Sequence, residues 1–122
     1  EKYCKLGIEE YLKRLQKYAK VKIHESISLQ NLKGFIIALD ENGTQFSSKD
    51  FATTIKQLHL EQKDISFVIG EANGLPKEIL QKCNMKVSLS SMTFPNQLAV
   101  LVFVEQLYRT FTIIKGEKYH KE

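Results

Sequence analysis

The sequence predicts an α/β domain with a mainly parallel sheet, and three observations lead to that prediction. Three short apolar runs, at 34–39, 64–69 and 86–90, have the length and composition of buried strands. Segments with helical periodicity separate these runs. Each run also ends in a polar or glycine-rich stretch, as buried parallel strands commonly do. Strands that alternate with helices are typical of a parallel sheet with helices packed on it.

Composition is that of one globular domain. The chain has 122 residues, of which 43% are hydrophobic and 26% charged. The net charge of +4 permits an anionic partner such as RNA but does not require one. No uninterrupted apolar run approaches the ~20 residues of a membrane helix, and residues 1–20 lack the pattern of a signal peptide. Cys4 and Cys83 fit no metal or redox spacing. We therefore expect a cytoplasmic protein with reduced thiols and no membrane span.

The N-terminal third is predicted to form a helix and a strand. Residues 1–19 have the spacing of an amphipathic helix, and Glu10 and Arg14 are placed for an exposed ion pair. Residues 21–28 alternate imperfectly between polar and apolar, which indicates a strand. The expected apolar side of the helix comprises Tyr3, Leu6, Ile8, Tyr11, Leu12, Leu15 and Tyr18.

The first buried strand is expected to end at a turn and lead into a helix. Asp40-Glu41-Asn42-Gly43 follows the apolar run at 34–39 and predicts the turn. Ser47 is suited to cap the next helix, with the acid Asp50 three residues further on. That helix places one apolar face towards the core, formed by Phe51, Ile55 and Leu58.

The last predicted helix, at 97–114, lacks an obvious polar face. Residues 98–104 are seven consecutive apolar side chains. A helix that is apolar all round has to be covered on all sides, and in a chain of this size a second subunit is an expected source of cover. A shorter helix at 76–83 is predicted before it, because Pro76 suits the first helical position.

Three loops are expected to form one pocket. In parallel sheets, ligands bind at the carboxyl ends of strands, which here are 39–40, 70–74 and 89–94. The glycines at 70–74 match neither a dinucleotide fingerprint nor a P-loop, and the serines at 88–91 form no nucleophile elbow. No metal is expected, because the histidines, His24, His59 and His120, have no zinc-ligand spacing.

The C-terminal end combines cations with aromatic rings. This mixture suits phosphate contact and base stacking, although cations at a solvated helix end also complement the helix dipole. Glu105 and Arg109 are either a helix-stabilising pair or an arginine held ready for phosphate. The cations are Arg109, Lys115, Lys118, His120 and Lys121, and the aromatic residues are Tyr108, Phe111 and Tyr119.

Four motifs together resemble one known family. They are Phe-Val-Ile-Gly at 67–70, Leu-Ser-Ser-Met-Thr at 89–93, Glu-Gln-Leu-Tyr-Arg at 105–109 and Tyr-His-Lys at 119–121. In this order they resemble the RlmH family, SPOUT-class methyltransferases that act on N3 of pseudouridine 1915 in helix 69 of bacterial 23S ribosomal RNA. The likeness covers essentially the whole chain.

The resemblance implies a fold, a cofactor and a set of site residues. It implies a SPOUT-type α/β fold with a C-terminal trefoil knot, a homodimer, S-adenosylmethionine as methyl donor, and the assembled ribosome as substrate. Arg109, Tyr119 and His120 would be catalytic and, with Lys121, would contact RNA, the tail of one subunit completing the pocket of the other. His120 has the intrinsic pKa best suited to a general base. The implied cofactor-binding residues are Leu39, Gly70, Glu71, Gly74, Leu89, Ser90, Ser91, Met92, Thr93 and Phe94.

Several positions depart from the family pattern. The family usually begins with a further strand and has a longer segment near 28–34, so a single domain over residues 1–122 is expected to lack both. Glu71 replaces a glycine, Asn96 a histidine and Val100 an arginine. A second hypothesis is therefore a catalytically weak or silent relative that binds RNA through its basic tail. A third, a nucleotide-binding α/β domain of another lineage, leaves the tail unexplained.

Overall fold

The computed structural model describes residues 2–21, 32–61, 64–70 and 74–121. The predicted strand at 21–28 falls almost entirely outside these ranges, as does Glu71. Four helices and three strands are present in the described ranges. In chain order they are α1 (Lys2–Leu15), β1 (Phe35–Gln45), α2 (Ser48–Leu60), β2 (Ile65–Ile69), α3 (Lys77–Lys82), β3 (Met85–Ser88) and α4 (Asn96–Ile114).

The three strands form a parallel sheet in the order β2-β1-β3, as the alternating pattern predicts. The registers of the two pairings meet at Leu39, which lies opposite both Ile69 of β2 and Val87 of β3. The loops that follow β2 and β3 therefore leave the sheet at the same edge, next to Leu39.

β1 is longer than the sequence predicts. We expected it to end at Leu39, but it continues to Gln45. Leu39 and Thr44 both lie opposite Val87, so residues 40–43 bulge out before pairing resumes. A Cβ atom on Gly43 would lie 2.6 Å from the carbonyl carbon of Lys86. The glycine thus allows β1 to return close to the backbone of β3, which a side chain would prevent.

Side chains of β1 alternate between two apolar layers. Ile37 and Leu39 face a large cluster with residues of α1, α2, α4 and β3. Ile36 and Ala38 face a smaller cluster, which includes Val68 of β2 and residues in and before α3. Because both faces of β1 are covered, its sequence is an uninterrupted apolar run rather than an alternating one.

The starts of α2 and α3 follow the predicted signals, and α4 begins one residue earlier than the predicted residue 97. Ser47 caps α2, and its hydroxyl accepts a hydrogen bond from the amide of Asp50 at 3.0 Å. Phe51, Ile55 and Leu58 are buried, as expected. Two prolines precede helices: α3 begins at Lys77 directly after Pro76, one residue later than predicted, and α4 begins at Asn96 directly after Pro95.

The N-terminal helix is shorter than predicted, and its buried side is narrower. α1 ends at Leu15, before Tyr18. Tyr3 and Leu6 were expected on the apolar side, but they are 66% and 63% exposed. Cys4 and Leu15 are the buried residues of this helix, and Cys4 and Cys83 are both free thiols. The predicted Glu10–Arg14 ion pair is present, with Arg14 Nε 2.8 Å from a Glu10 oxygen.

α4 packs against α1, α2 and β2 within the single chain. Phe103, Val104 and Leu107 are buried in this packing, whereas residues 98–102 are only half-buried. Among the helices in the described ranges, α4 alone is long and apolar enough to cross a membrane by length and composition, a test that core helices also pass. Its contacts with α1, α2 and β2 show that α4 packs within the domain.

Candidate functional site

The first candidate region is the set of strand-end loops, defined as Gly70, Gly74 and residues 89–94 at the sheet edge beside Leu39. The register of the sheet brings the starts of these loops together. Asn96, at the first turn of α4, donates a hydrogen bond from Nδ2 to the carbonyl oxygen of Gly70 at 2.7 Å. This bond joins the loop after β2 to the helix that follows the loop after β3.

Residues 89–94 form a loop that is shaped by serine hydroxyls. Ser88 donates to the carbonyl oxygen of Ser90 at 2.9 Å, and the amide of Met92 donates to the Ser90 hydroxyl at 3.0 Å. The tip, at Ser91–Thr93, is exposed, and Met92 is 74% exposed. The loop contains no charged side chain, so it can offer a ligand backbone amides, carbonyl groups and apolar contacts.

Gly70 allows the backbone at Gly74 and Leu75 to pass close to the end of β2. A Cβ atom at this position would lie 2.7 Å from the carbonyl carbon of Gly74 and 2.9 Å from the amide nitrogen of Leu75. Real Cβ atoms do not approach backbone so closely, so any other residue would push these segments apart. Gly74 has a φ of +81°, in the left-handed region that favours glycine. The close backbone approach at Gly70 and the positive φ at Gly74 therefore both favour glycine.

The second candidate region is a side-chain cluster centred on Glu105, which we call the Glu105 cluster; it comprises Tyr11, Glu105, Arg109, Tyr119 and His120. The Glu105 carboxylate accepts from Arg109 Nη2 at 2.6 Å and Nε at 3.5 Å, and from the Tyr119 hydroxyl at 2.9 Å. Because the Tyr119 proton is used in that bond, the 3.2 Å contact between the two tyrosine hydroxyls has Tyr11 as donor. One carboxylate thus fixes an arginine and, through Tyr119, the C-terminal tail.

Arg109 and Tyr119 keep their protons over the physiological range. Hydrogen bonding to Glu105 is the main factor that raises the pKa of Arg109, against an opposing effect of burial. The pKa of Tyr119 is raised well above its usual value, first by burial and then by its hydrogen bonds with Tyr11 and Glu105. The guanidinium carbon lies 4.9 Å from the centre of the Tyr119 ring, and Arg109 Nη1 lies 3.1 Å from His120 Nδ1.

Aromatic packing holds the tail against α1 and α4. The Tyr119 ring meets Tyr108 edge-on, with centroids 4.8 Å apart. Tyr18 stacks on Phe111 at 5.6 Å and donates from its hydroxyl to Glu117 at 2.7 Å. These contacts hold the tail against α1 and α4 of the same chain, with Tyr119 and His120 half-buried and Lys121 exposed.

A cleft of about 230 Å³ lies beside the Glu105 cluster, between the start of α2, the end of β3 and α4. Gln106 lines it and connects it to the cluster. Its side-chain oxygen accepts from the Ser48 hydroxyl at 2.7 Å, and its amide nitrogen donates to Glu105 at 2.9 Å. Gln106 therefore links the first turn of α2 to the carboxylate that holds Arg109.

The predicted site residues separate into these two regions. The predicted cofactor residues that the structure describes lie at the sheet edge, and Arg109, Tyr119 and His120 lie together in the Glu105 cluster. In the described ranges, no hydrogen bond joins one region to the other. Nor does any group of three or more His, Cys, Asp or Glu side chains within these ranges lie close enough to hold a metal ion.

Sequence reasoning missed two members of this network. The sequence pattern places Tyr11 on an apolar helix face, and it gives Gln106 no role beyond its place in a motif. Tyr11 lies 108 positions from Tyr119, so no local pattern signals their contact. Gln106 directly follows Glu105 on a helix, and its role depends on Ser48, 58 positions away.

Comparison with known proteins assigns the family. The sequence profile described as "Predicted SPOUT methyltransferase" matches residues 27–120. The chain belongs to the SPOUT methyltransferase family. Proteins named Ribosomal RNA large subunit methyltransferase H are similar to it over nearly its whole length. The one from Alkaliphilus oremlandii is 40% identical, with 99% of this chain and 92% of the relative covered. The one from Bacillus pumilus is 42% identical with the same coverage.

A solved structure supports the SPOUT fold. A probable methylase family protein from Haemophilus influenzae superimposes with a TM-score of 0.52 at 19% identity, over 70% of this chain and 39% of that one. The predicted α/β SPOUT class and the resemblance to the RlmH family are both confirmed. As a member of this family, the protein is an enzyme that moves a methyl group from a donor.

Relatives differ from this chain in length within the matched region. The alignments with the two named relatives span 147 residues, more than the 122 of this chain, so these relatives carry residues with no counterpart here. That the difference lies near 28–34, and that a first strand precedes residue 1, stay predictions.

Proposed function

We propose that this SPOUT methyltransferase transfers a methyl group from S-adenosylmethionine to N3 of a pseudouridine in helix 69 of 23S ribosomal RNA, in the assembled ribosome. The single observation that carries the proposal is the Glu105 cluster. It places a permanent cation, a tyrosine and a histidine together at the C-terminal end of a family member whose named relatives act on large-subunit ribosomal RNA. The choice of N3 and of the assembled ribosome follows from the resemblance of the four motifs.

The Glu105 cluster supports an RNA substrate through charge and ring surface. Arg109 presents a fixed cation for phosphate or for negative charge that develops on a base. Tyr119 and Tyr108 add ring surface of the kind on which bases stack. Three lysines are exposed near the same helix end, and they add sequence-independent electrostatic attraction for the phosphate backbone. They are Lys115, Lys118 and Lys121.

The strand-end loops fit S-adenosylmethionine as donor. Leu39 supplies an apolar wall at the sheet edge, and Gly70 keeps backbone where a Cβ atom would intrude, while Gly74 adopts a φ that favours glycine. The uncharged loop at 89–94 provides amides and carbonyl groups suited to adenine and ribose. When bound, S-adenosylmethionine supplies an electrophilic methyl group on a sulfonium. The protein's own task is to hold acceptor and donor in line.

The proposal includes a cytoplasmic homodimer with a trefoil-knotted C-terminal region, in which the tail of one subunit completes the other's pocket. Two observations support a second subunit. Residues 98–102 of α4 are apolar and only half-buried by the single chain. Tyr3 and Leu6 of α1 leave large apolar side chains exposed, and α1 contacts α4 at Gly7 and Leu101. No metal is required by this chemistry.

A labelled-methyl assay tests the proposal. Purified protein and methyl-labelled S-adenosylmethionine are mixed with ribosomes from cells that lack this modification, and with free 23S RNA in parallel. We expect label in helix 69 of the ribosomes, on a pseudouridine that then carries a methyl at N3 by mass spectrometry. Sedimentation of the same preparation is expected to give a dimer.

The silent relative is the competing outcome. If calorimetry shows donor binding but no RNA is labelled, the site residues serve another acceptor. If neither donor binding nor labelling occurs, while the dimer still binds ribosomes, the protein is an RNA-binding relative without activity. Arg109→Lys serves as a matched variant in both assays, because it keeps the charge while it removes the paired hydrogen bonds to Glu105.

A further inference from the structure

The contact between Arg109 and His120 fixes which ring nitrogen of the histidine carries a proton. Arg109 Nη1 lies 3.1 Å from His120 Nδ1. A guanidinium has only donors and stays protonated, and the carboxylate of Glu105 raises the pKa of Arg109 further. His120 Nδ1 must therefore accept with its lone pair. A neutral imidazole has one N–H group, so that group is at Nε2.

This tautomer makes His120 a hydrogen-bond donor towards anything at its outer edge. To take up a proton, the ring would have to release Nδ1 from Arg109 and place an imidazolium beside a guanidinium. Arg109 cannot readily move aside, because Glu105 binds its Nη2 and Nε and the Tyr119 ring lies against it. The same geometry thus disfavours the general-base role that the intrinsic pKa of histidine suggests.

We propose that His120 Nε2–H donates to a carbonyl oxygen next to the reacting nitrogen of a pyrimidine base, and that His120 is not the general base. This inference rests on the proposed function, whose acceptor is a pyrimidine imide, and it assigns the role that His120 has in the Glu105 cluster. N3 of such a base lies between two carbonyl groups, and loss of its proton spreads negative charge onto both oxygens. A donor at one oxygen with a fixed cation beside it stabilises that anion in place of a protein base.

The reaction balances with water as the proton acceptor. N3 gives its proton to solvent water, and its electron pair forms the new bond to the methyl carbon. The electron pair of the broken carbon–sulfur bond stays on sulfur, which becomes a neutral thioether. His120 keeps the same protons throughout, and Arg109 its positive charge.

Two amide substitutions separate a donor from a base. In His120→Asn, the side-chain oxygen can replace Nδ1 as the acceptor for Arg109, but nothing reaches the position of Nε2. In His120→Gln, the longer side chain brings an amide N–H close to that position. Neither amide can act as a base. We expect the single-turnover rate to fall roughly 10-fold in the Gln variant and on the order of 10²–10³-fold in the Asn variant, measured at saturating donor and ribosome.

If the wild type is active and the Gln and Asn variants are equally slow, the donor role of His120 is overturned while the proposed function stands. A wild type that transfers no methyl group would instead overturn the proposed function. Donor affinity and thermal unfolding midpoint, measured for each variant, exclude loss of fold as the cause of a slow rate.

Nitrogen-15 NMR gives a readout that does not depend on activity. The ring signals that disappear in His120→Gln belong to His120, and at neutral pH we expect them to show a protonated Nε2 and an unprotonated Nδ1. Substitution Arg109→Ala is expected to let the two tautomers mix. A wild-type ring protonated at Nδ1 would contradict the geometry on which the inference depends.

Discussion

The strand-end loops and the Glu105 cluster are built in different ways. The loops owe their shape to the backbone: strand register brings them together, glycines allow close approach, and serine hydroxyls and Asn96 fix their carbonyl and amide groups. The cluster owes its shape to side chains that converge from α1, α4 and the tail on one carboxylate. The comparison indicates that backbone groups are suited to hold the donor, and charged side chains to act on the acceptor.

This difference predicts that the two regions fail separately. Substitutions in the cluster should change the rate without changing donor affinity. Substitutions in the strand-end loops should weaken donor affinity without changing the rate at saturating donor. Three experiments test that separation, from the largest expected effect to the smallest, and a fourth tests how the C-terminal tail is held.

Arg109→Ala is expected to give the largest loss. It removes the fixed cation and leaves Glu105 with only Tyr119 and Gln106 as donors, so the turnover number should fall on the order of 10²–10³-fold. Arg109→Lys should lie between Ala and wild type. Donor affinity by calorimetry should stay within about 2-fold of wild type. A 10-fold loss of donor affinity in the Ala variant would show that the two regions are coupled.

Gly70→Ala should damage the donor region. The new Cβ would meet backbone at 2.7 Å, and overpacking of this kind costs about 1–3 kcal/mol. Because the displaced segments form the proposed donor pocket, we expect donor affinity to fall roughly 10- to 100-fold. Gly116→Ala is a control for backbone strain away from the loops: its Cβ would meet nothing within 4 Å, but its φ of +71° disfavours alanine, so it should lower stability and leave donor affinity unchanged. Equal donor affinity in the two variants would refute the assignment of Gly70.

Asn96→Ala tests the hydrogen bond that ties Gly70 to α4. A neutral hydrogen bond contributes about 0.5–1.5 kcal/mol, so donor binding should weaken roughly 2- to 10-fold with little change in turnover at saturating donor. Asn96→Asp should bind more weakly still, because a carboxylate would face the Gly70 carbonyl oxygen. Asn96→His restores a hydrogen-bond donor at this position. If it binds no better than Ala, the hydrogen bond at 2.7 Å is not what holds this loop.

Tyr18→Phe should have the smallest effect, and the advantage of wild type over this variant in the free energy of unfolding should shrink as the solution becomes alkaline. Burial and the hydrogen bond to Glu117 raise the pKa of Tyr18 from its usual value to about 12. Since the folded pKa lies above the unfolded one, the stabilisation is complete below the unfolded pKa of about 10 and is lost as the pH rises through about 12. The free energy of unfolding, measured in urea at pH 8 and pH 11, should therefore fall more between these pH values for wild type than for Tyr18→Phe. Equal losses would exclude the Tyr18–Glu117 contact as the cause.

Local signals accounted for most of the fold and for little of the second region. Ser47 with Asp50 identified the start of α2, and Pro76 and Pro95 mark the starts of α3 and α4, because caps and prolines act within one turn. The convergence at Leu39 could be expected from parallel strands alone. The exposure of Tyr3 and Leu6 could not, because helical spacing alone did not fix which part of α1 meets α4.

The sequence by itself determined three parallel strands between helices, the signals at Ser47 and Pro76 that precede α2 and α3, and four motifs that place the chain in its family. Only the tertiary structure decided that β1 resumes after residues 40–43, since that depends on Gly43 meeting the backbone of β3. Only it decided that Tyr11 and Ser48 serve the same carboxylate network as Arg109. Periodicity and caps act over a few residues, whereas these contacts join positions 43 to 108 apart along the chain, so packing alone brings them together.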